Sequence, residues 1–377
     1  MTVSAMPSPI ELHILDGKEH RSANSLHGGA KPALSVHEID PLQDIRWDHF
    51  LSERRDASVF HCSAWLKALK HTYGYEPSAL TTCKPGRDLT NGLVFCRIKS
   101  WLTGPRLVSL PFADHCKVLA DEPEDVDRLL TSLQTISVDE NCRYVEIRSL
   151  NGGLFGQFGK AKTFWLHEID LRPNLEDLFH SFHKDCVQRK IRRAEREGLV
   201  CEDGRSERLL QQFYHLLLLT RRRHRLPPQP LNWFRNLIRF LGERITISVA
   251  LKEGRAVASI LTLCYKDTLV YKYGCSDARF NRWGGMPLLF WRAIQKGKKN
   301  GLREFDLGRT DVDDAGLLAF KDRWGGRRSI LAYWRYPAPH PGKAQSAWVM
   351  RVARQMITYM PNSLLSATGK LIYRHVG

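Results

Sequence analysis

A lysine lies on the face of a short predicted helix that should be apolar. The helix belongs to FDLGRTDVDDAGLLAFKDRWGG, residues 305–326. After a cap at Asp313 or Asp314, helical periodicity places four residues on one face: Leu317, Phe320, Lys321 and Trp324. An unpaired buried charge is too costly to keep, so the ammonium group must reach water, pair with an anion or serve a functional site. On this pattern alone, a head group that reaches water is the favoured interpretation.

A carboxylate precedes this helix in the predicted strand REFDLGR. Strand alternation directs Phe305 and Leu307 to one face and Asp306 to the other, close to Arg309 and the start of the helix. Asp306 could orient an amine, accept its proton, or pair with Lys321 or Arg309, and the ion pair is the favoured interpretation. Amide formation needs an unprotonated amine and a proton acceptor, although a chain of water molecules could also accept the proton.

A basic loop that contains glycine enters another helix in the same region. The loop CSDARFNRWGG precedes the helix MPLLFWRAIQKGKKN and carries Arg279, Arg282, Gly284 and Gly285. Free backbone amides, the positive end of the helix dipole and two guanidinium groups meet there, which predicts a phosphate-binding site. A simple tight turn is the alternative. Tyr273, on the neighbouring strand edge, is assigned to the same donor site, with core packing as its default role.

A second basic segment lies near the middle of the chain. QRKIRRAEREG predicts a helix with positive charge around much of its surface, contributed by Arg189, Lys190, Arg192 and Arg193. A solvated helix face is one interpretation. The other is binding of phosphate groups from a donor or from a nucleotide-linked or lipid-linked acceptor, together with Arg309.

The charge of the whole chain points to a polyanionic partner. The sequence has 377 residues, 57 Lys and Arg against 40 Asp and Glu, a formal net charge of +17 and 43% hydrophobic residues. This composition supports folded cores and excludes a disordered protein. RNA, DNA, an anionic membrane and a phosphate-rich substrate all remain open on charge alone.

The cysteines and the N-terminus predict a cytoplasmic protein. Nine cysteines lie mostly in predicted strands, without a CxxC pair, and are expected to be reduced and buried. No metal site is predicted, because closely spaced Cys or His ligands are missing. The first 20 residues contain prolines and charges before any apolar run develops, so neither a secretory signal nor a transmembrane helix is expected.

The order of predicted elements is duplicated. From residue 245, three antiparallel strands are followed by the basic loop, a helix, a strand, the Lys321 helix and a last strand. Much the same order appears earlier, from SALTTC to RYVEIRSL, which suggests two copies of one α/β unit. The helix of the first copy begins with acidic residues that would repel an anion: Asp121, Glu122, Glu124 and Asp125. A phosphate-bearing donor is therefore expected in the second copy.

Several segments together resemble a known family. They are VFHCSAWLKAL, LVSLPFADH, VEIRSL, DCVQRKIRRAEREGL, LTRRRHRLPPQPLNWF, VASILTL through YKYGCSD, and FDLGRTDVDDAGLLAFKDRWGG. Over residues 45–336 they resemble the FemAB-like and CelD-type acyltransferases of the GNAT superfamily. The resemblance implies an α/β fold of two tandem GNAT-like domains, with mixed, mostly antiparallel sheets flanked by helices.

The resemblance also implies an activity. It implies transfer of an acyl or aminoacyl group to an amine on a cell-envelope, exopolysaccharide or lipid building block, with no bound cofactor. In peptidoglycan-bridge members a lysine after a phenylalanine stabilises the reacting carbonyl oxygen, and the matching pair here is Phe320 and Lys321. Acyl-CoA and aminoacyl-tRNA both remain open as donor, since the long helical hairpin common in tRNA-dependent members does not fit between residues 206 and 244. DNA is not expected as a partner, and a non-enzymatic RNA-binding or membrane-binding module is the remaining alternative.

Four regions are predicted along the chain. Residues 1–38 form a disordered tail, 39–170 the first GNAT-like domain, 171–337 the second domain with the donor site, and 338–377 a basic amphipathic tail. The last tail contains no acidic residue and is expected to lie on an anionic membrane surface, or to pack against the second domain. The first alternative would make the protein peripheral at the inner face of the membrane.

Overall fold

Twelve strands and ten helices lie in the part of the chain that this computed structural model describes, residues 35–149, 157–339 and 361–376. Residues 1–34 of the predicted tail 1–38 and residues 340–360 of the predicted tail 338–377 therefore lie outside the described residues, while residues 37 and 38 belong to the first strand. The strands are β1 His37–Ile39, β2 Glu76–Thr81, β3 Leu93–Ile98, β4 Arg106–Val108, β5 Tyr144–Ser149, β6 Gly159–Asp170, β7 Val200–Gly204, β8 Ile245–Lys252, β9 Arg255–Tyr265, β10 Thr268–Ser276, β11 Glu304–Asp311 and β12 Arg327–Tyr336. The helices are α1 Ile45–Glu53, α2 Ser63–Tyr73, α3 Pro123–Asp139, α4 Leu175–Ser181, α5 Arg189–Arg196, α6 Glu207–Arg223, α7 Leu231–Leu241, α8 Gly285–Lys299, α9 Ala315–Asp322 and α10 Asn362–Val376.

All described strands belong to one sheet, in the order β1-β2-β3-β4-β5-β12-β6-β11-β10-β9-β8-β7. The pairs β4–β5 and β10–β11 are parallel, and the other neighbours are antiparallel. Each parallel pair is joined through a helix, α3 in the first half and α8 in the second, as a parallel connection requires. The predicted α/β class with a mixed, mostly antiparallel sheet is confirmed.

The two halves of the sheet exchange their last strands. β6 follows the first half in sequence but pairs with β11 of the second half, and β12 follows the second half but pairs with β5 of the first. β6 and β12 then pair with each other in the middle of the sheet. The described residues from Ser35 onward form one compact unit, and the domain limits 39–170 and 171–337 stay a prediction.

The main apolar core is also shared by both halves. Trp65 of α2 and Trp233 of α7 are fully buried and meet edge to face, with ring centroids 5.2 Å apart. Such an aromatic pair contributes about 0.5–1.5 kcal/mol beyond the area that it buries. A second core, around Phe290 of α8 and Trp324, lies against the other face of β10 and β11. The packing therefore holds residues from distant parts of the sequence against the centre of the sheet.

A gap opens between β10 and β11 after a short pairing. Only Thr268–Val270 pair with Glu304–Asp306, although both strands continue beyond these residues. β10 has a bulge between Tyr271 and Tyr273, and β11 has one between Asp306 and Arg309. A bulge adds a residue to one strand and bends it, so the two strands part here. The gap is where the charged residues of the candidate site meet.

The described part of the C-terminal tail, α10, packs against the protein. Leu365 is fully buried in the shared core. The carbonyl oxygen of Tyr373 accepts a hydrogen bond from Tyr75 at 2.7 Å, and the Tyr373 hydroxyl donates to Pro227 at 3.1 Å. Packing is thus the better description of α10, whose buried face is not free to enter a membrane. No helix among the described residues is long and apolar enough to cross a bilayer.

Candidate active site

Lys321 does not send its head group to bulk water. Asp314 caps α9 by accepting the backbone N–H of Leu317 at 2.9 Å, and this start directs Lys321 towards the sheet. The residue is 2% exposed, and its Nζ donates to the carbonyl oxygens of Gly308 at 2.6 Å and Arg309 at 3.0 Å. The interpretation that the pattern alone favoured, a head group in solvent, is wrong because β11 supplies these two acceptors.

The ammonium group of Lys321 keeps a free donor beside the gap. Burial lowers its pKa to about 8, and Lys272 and Arg309 act in the same direction, while Asp114 and Asp306 oppose them. The group therefore stays mostly protonated at neutral pH. An ammonium has three N–H donors, and the described residues accept two of them. The third can meet a developing negative charge.

Asp306 is bound by a histidine from the other half of the chain. Its Oδ1 accepts the backbone N–H of Gly308 at 2.6 Å, and its Oδ2 lies 3.1 Å from Nε2 of His115. The sequence interpretation considered Lys321 and Arg309 as ion-pair partners of Asp306. Among the described residues, the carboxylate instead has the ring of His115 as its side-chain hydrogen-bond partner.

The loop between β4 and α3 delivers His115 and its neighbour Asp114. Leu110 and Phe112 have φ angles of 62° and 60°, which bulky residues adopt only where the surroundings hold them. Nη1 of Arg148 donates to the carbonyl oxygen of Leu110 at 2.9 Å, and other bonds tie the loop to β12. Sequence reasoning used LVSLPFADH only as a sign of family and missed both side chains. The signal was an acidic residue next to a histidine after a proline turn.

Asp114 forms the second bridge across the gap. Its Oδ2 accepts a hydrogen bond from Nζ of Lys272 at 2.9 Å, and its Oδ1 lies 3.5 Å from Nε of Arg309. Burial raises the pKa of Asp114, but the charges of Lys272 and Arg309 outweigh it and hold the pKa below its ordinary value. Arg309 stays 36% exposed and lies over the ring of Phe164. It is the member of the site most open to a ligand.

We call these residues the central charge cluster: Asp114, His115, Lys272, Asp306, Arg309 and Lys321. Its lysine and arginine cations outnumber its carboxylates. A partly buried cluster with excess positive charge attracts an anion. The attraction is stronger there than in bulk water, because the surrounding protein screens charges less. Among the described residues, no group of three or more His, Cys, Asp or Glu side chains is arranged to hold a metal ion.

A cavity of about 220 Å³ lies between α5, α8 and α9. Phe320 and Arg323 line it, so the helix that carries Lys321 forms one wall. Gly285 and Met286, whose backbone N–H groups begin α8, form another wall. These are free amides at a helix N-terminus, without an acidic side chain in the first turn.

Gly284 is required for the packing at this helix start. Its φ angle is 79°, and an added Cβ would lie 2.3 Å from the carbonyl oxygen of Lys190 in α5. Because Gly284 lets α5 approach the turn closely, Lys190 of α5 reaches the wall of the cavity. The glycine turn therefore helps to form the cavity.

A larger basic groove of about 940 Å³ adjoins the cavity through Lys190, which lines both. Its cationic side chains come from α5 and from the loop before α8: Arg189, Lys190, Arg192, Arg193, Arg196 and Arg282. Two carboxylates, Asp185 and Glu195, also line it. The structure thus brings the two basic segments singled out in the sequence to one surface.

Two predicted donor residues lie elsewhere. Arg279 makes a two-point bond to Asp277, with its Nη2 at 2.6 Å from Oδ2, so its charge is already matched. Tyr273 is buried in the shared core, where its hydroxyl accepts the indole N–H of Trp233 at 2.9 Å. Core packing, its default role, describes its position.

Comparisons with known proteins concern the fold and one segment of the chain. Residues 181–322 match the family described as acetyltransferase (GNAT) domain. No curated protein matches the chain significantly. Among solved structures, the chain resembles FemX, with a TM-score of 0.62 and 14% identity over 80% of this chain and 97% of that one.

Two further structures have the same fold. A tandem GNAT protein from the clavulanic acid biosynthesis pathway has a TM-score of 0.52 and 10% identity over 81% of this chain and all (100%) of its own. A conserved protein from Bacteroides thetaiotaomicron has a TM-score of 0.51 and 13% identity over 80% and 99%. The predicted fold of two tandem GNAT-like domains is confirmed by these structures. The match to an acetyltransferase (GNAT) domain covers residues 181–322 of the second half.

Proposed function

We propose that the protein transfers an acyl group from acyl-CoA to an amine on a cell-envelope, exopolysaccharide or lipid building block, as the CelD-type resemblance implies. The observation that carries this proposal is the arrangement around α9. One side of the helix lines a cavity that continues into the basic groove, and Lys321 extends from the same helix to the gap between β10 and β11.

In this proposal the phosphate groups of acyl-CoA bind in the basic groove, and the arm that carries the thioester lies in the cavity. Phosphate groups fit the groove beside Arg192, Arg193 and Arg282, because guanidinium groups match phosphate oxygens in two-point contacts. The cavity beyond Lys190, lined by Phe320 and Gly285, with Gly284 in the turn before α8, accepts a narrower and less polar arm. The thioester then lies towards Lys321. In this proposal Arg279 has no contact with the donor.

Lys321 polarises the carbonyl group in this arrangement. Its free N–H donor faces the oxygen that gains charge as the amine attacks, in a site that excludes most water. A single donor placed in this way contributes about 2.7–4 kcal/mol to transition-state stabilisation. Arg309, the exposed cation of the cluster, is available to an acceptor that carries phosphate or carboxylate. No covalent enzyme intermediate is needed.

Aminoacyl-tRNA is the second candidate donor. The net charge of +17 and the basic groove favour it, since both would bind an RNA backbone. The 3′ end would then occupy the cavity in place of the arm of CoA. The segment between residues 206 and 244 holds α6 and α7, which pack in the shared core, so no long hairpin is available there for tRNA.

Calorimetric titration with acetyl-CoA and with uncharged bulk tRNA separates the two donors. We expect acetyl-CoA to bind saturably, and Arg192→Gln with Arg193→Gln to weaken its binding at least tenfold. Arg205→Gln, at a partly exposed arginine paired with Glu243 away from the groove, is the matched control and should leave acetyl-CoA binding unchanged. Tight, saturable binding of tRNA without binding of acetyl-CoA would overturn the first choice of donor.

Contact with an anionic membrane is a separate proposal for the outer side of α10. Trp101 is 82% exposed and Leu371 is 62% exposed, and Trp101 packs against the ring of His375. Lys370 and Arg374 are exposed on the same helix. Apolar residues with a basic border favour an anionic lipid surface. Flotation with phosphatidylglycerol vesicles tests this, and equal flotation of Trp101→Ser with Leu371→Ser would exclude it.

A further inference from the structure

The contact between His115 and Asp306 fixes which ring nitrogen can act as a base. An ionised carboxylate only accepts hydrogen bonds, so the 3.1 Å contact requires the proton of His115 on Nε2. When the ring is neutral, the other nitrogen, Nδ1, therefore carries the lone pair. It makes no hydrogen bond to any described residue, and the side chain is 13% exposed.

The surroundings hold this ring in one orientation. Phe60 meets it edge to face, with centroids 5.5 Å apart, and Asp306 is itself fixed by the backbone N–H of Gly308. A carboxylate that holds an imidazole in one tautomer, with the opposite nitrogen open, is the arrangement by which enzymes prepare a histidine to accept a proton. Here the two members come from different halves of the chain.

We propose that His115, positioned by Asp306, is the general base that removes the proton from the primary amine of the acceptor. The inference rests on the proposed acyl transfer and adds to it the group that accepts the proton. His115 is the catalytic residue, and Asp306 is a positioning residue.

The reaction balances without another reagent. The ammonium form of the acceptor first gives one proton to Nδ1 of His115. The free amine then attacks the carbonyl carbon, the C–N bond forms, and the C–S bond of the thioester breaks, with the electron pair leaving on sulfur. The second proton of the nitrogen passes to that sulfur, so the products are an amide and the free thiol, and the imidazolium releases its proton to water. The cation of Lys321 attracts the carbonyl oxygen and repels an ammonium ion, which favours loss of the proton.

The electrostatic surroundings support this role. Burial lowers the pKa of His115, but the hydrogen bond and charge of Asp306 outweigh it, with help from Asp114 and Glu168, and leave the pKa above its ordinary value. A base works best with a pKa near the working pH. The other titratable or charged groups around the pair are His61, Lys272 of β10, Arg309 of β11 and Lys321 of α9.

Two acceptors distinguish proton removal from a structural role. Acetyl-CoA is the donor, ethanolamine is an acceptor that is protonated at neutral pH, and hydroxylamine is one that is not. In His115→Gln the amide nitrogen can still donate to Asp306. We expect this variant to lose about 10²–10⁴ in kcat/KM with ethanolamine. We expect a much smaller loss of kcat/KM with hydroxylamine. We also expect the rise of the ethanolamine rate with pH to be lost in this variant. Equal losses with both acceptors, or an unchanged pH profile, would overturn the inference.

A measurement without turnover keeps this inference separate from the proposed function. The His115 imidazole is titrated by NMR in the wild-type protein and in Asp306→Asn, with His49→Gln as the assignment and folding control, since His49 is exposed. We expect the His115 pKa to fall in Asp306→Asn. An identical titration in both proteins overturns the inference, whatever the donor. The wild-type protein could show the expected fall in the His115 pKa and still fail to acetylate either amine. That result would count against acetyl-CoA as the donor and not against the role of His115.

Discussion

Lys321 and Gly308 are joined by a hydrogen bond of 2.6 Å from Nζ to the carbonyl oxygen. The backbone N–H of the same glycine donates to Asp306 at 2.6 Å. Gly308 therefore holds the cation of the cluster on one side of its backbone and a carboxylate on the other. Its φ angle of 72° makes this possible, because it turns the backbone of β11 at the bulge.

Lys321→Met should remove most of the activity and leave the fold intact. Methionine keeps the length and apolar body of the side chain, and it removes the donor that faces the carbonyl oxygen. We expect kcat to fall by about 10²–10³ with little change in donor affinity. Steady-state kinetics and calorimetry measure the two effects. Lys299→Met, at an exposed site on α8, is the matched control, and a Lys321→Met variant with normal kcat would exclude the catalytic role.

The stability of the protein should rise with pH above pH 8. The pKa of Lys321 is lowered to about 8 from 10.5, so the folded state disfavours its charged form. This penalty, roughly 3 kcal/mol, is fully present below pH 8 and is lost as the pH rises towards 10.5. Between these values the unfolded chain binds the proton more tightly, which gives the upward slope. The measurement is the difference in unfolding free energy between wild type and Lys321→Met, by urea denaturation at several pH values. A difference that does not change with pH would contradict the buried charge.

Gly308→Ala should disturb the central charge cluster, whereas a Gly→Ala change at another positive-φ position should only destabilise the fold. The new Cβ would lie 3.2 Å from Oδ2 of Asp114 and would also be strained at positive φ. Gly301→Ala is the matched control, because its φ angle of 75° imposes the same strain while nothing lies within 4 Å. Both variants should lose stability by about 1–2 kcal/mol. Only Gly308→Ala should also lose activity, and equal activity in the two would show that the contact with Asp114 is tolerated.

Asp114→Asn should destabilise the protein through Lys272. Lys272 lies inside the apolar ring system formed by Phe60 and Trp65, and Asp114 is its ion-pair partner there. Removing one member of a buried pair costs about 3–5 kcal/mol. The double variant Asp114→Asn with Lys272→Met should recover part of the loss, because it removes the uncompensated charge. Thermal unfolding of Asp114→Asn, Lys272→Met and the double variant completes the cycle, and additive losses of stability would mean that the pair is not coupled.

The local parts of this protein follow from its sequence. The cap at Asp314, the apolar face around Trp324 and the glycines after it define α9, and they place Lys321 on its inner side. Strand alternation directs Asp306 away from Phe305, as predicted, and the α8 helix begins after the glycine turn. Each of these features depends on residues within about two helical turns of one another, a range over which periodicity and capping are informative.

The tertiary structure decided which of these residues meet. Nothing near Asp306 in the sequence indicates that its partner is His115, because that contact joins residues separated by 191 positions through the pairing of the two halves. The burial of Tyr273 against Trp233 likewise depends on how α7 packs on the sheet. β6 and β12 pair through backbone hydrogen bonds. Every residue type can form such bonds, so the side chains of the two strands do not reveal which strands will pair. The sequence alone therefore determined α8, α9, the strands next to them and the charged side chains of this protein, while the assembly of the charges into one site required long-range strand pairing.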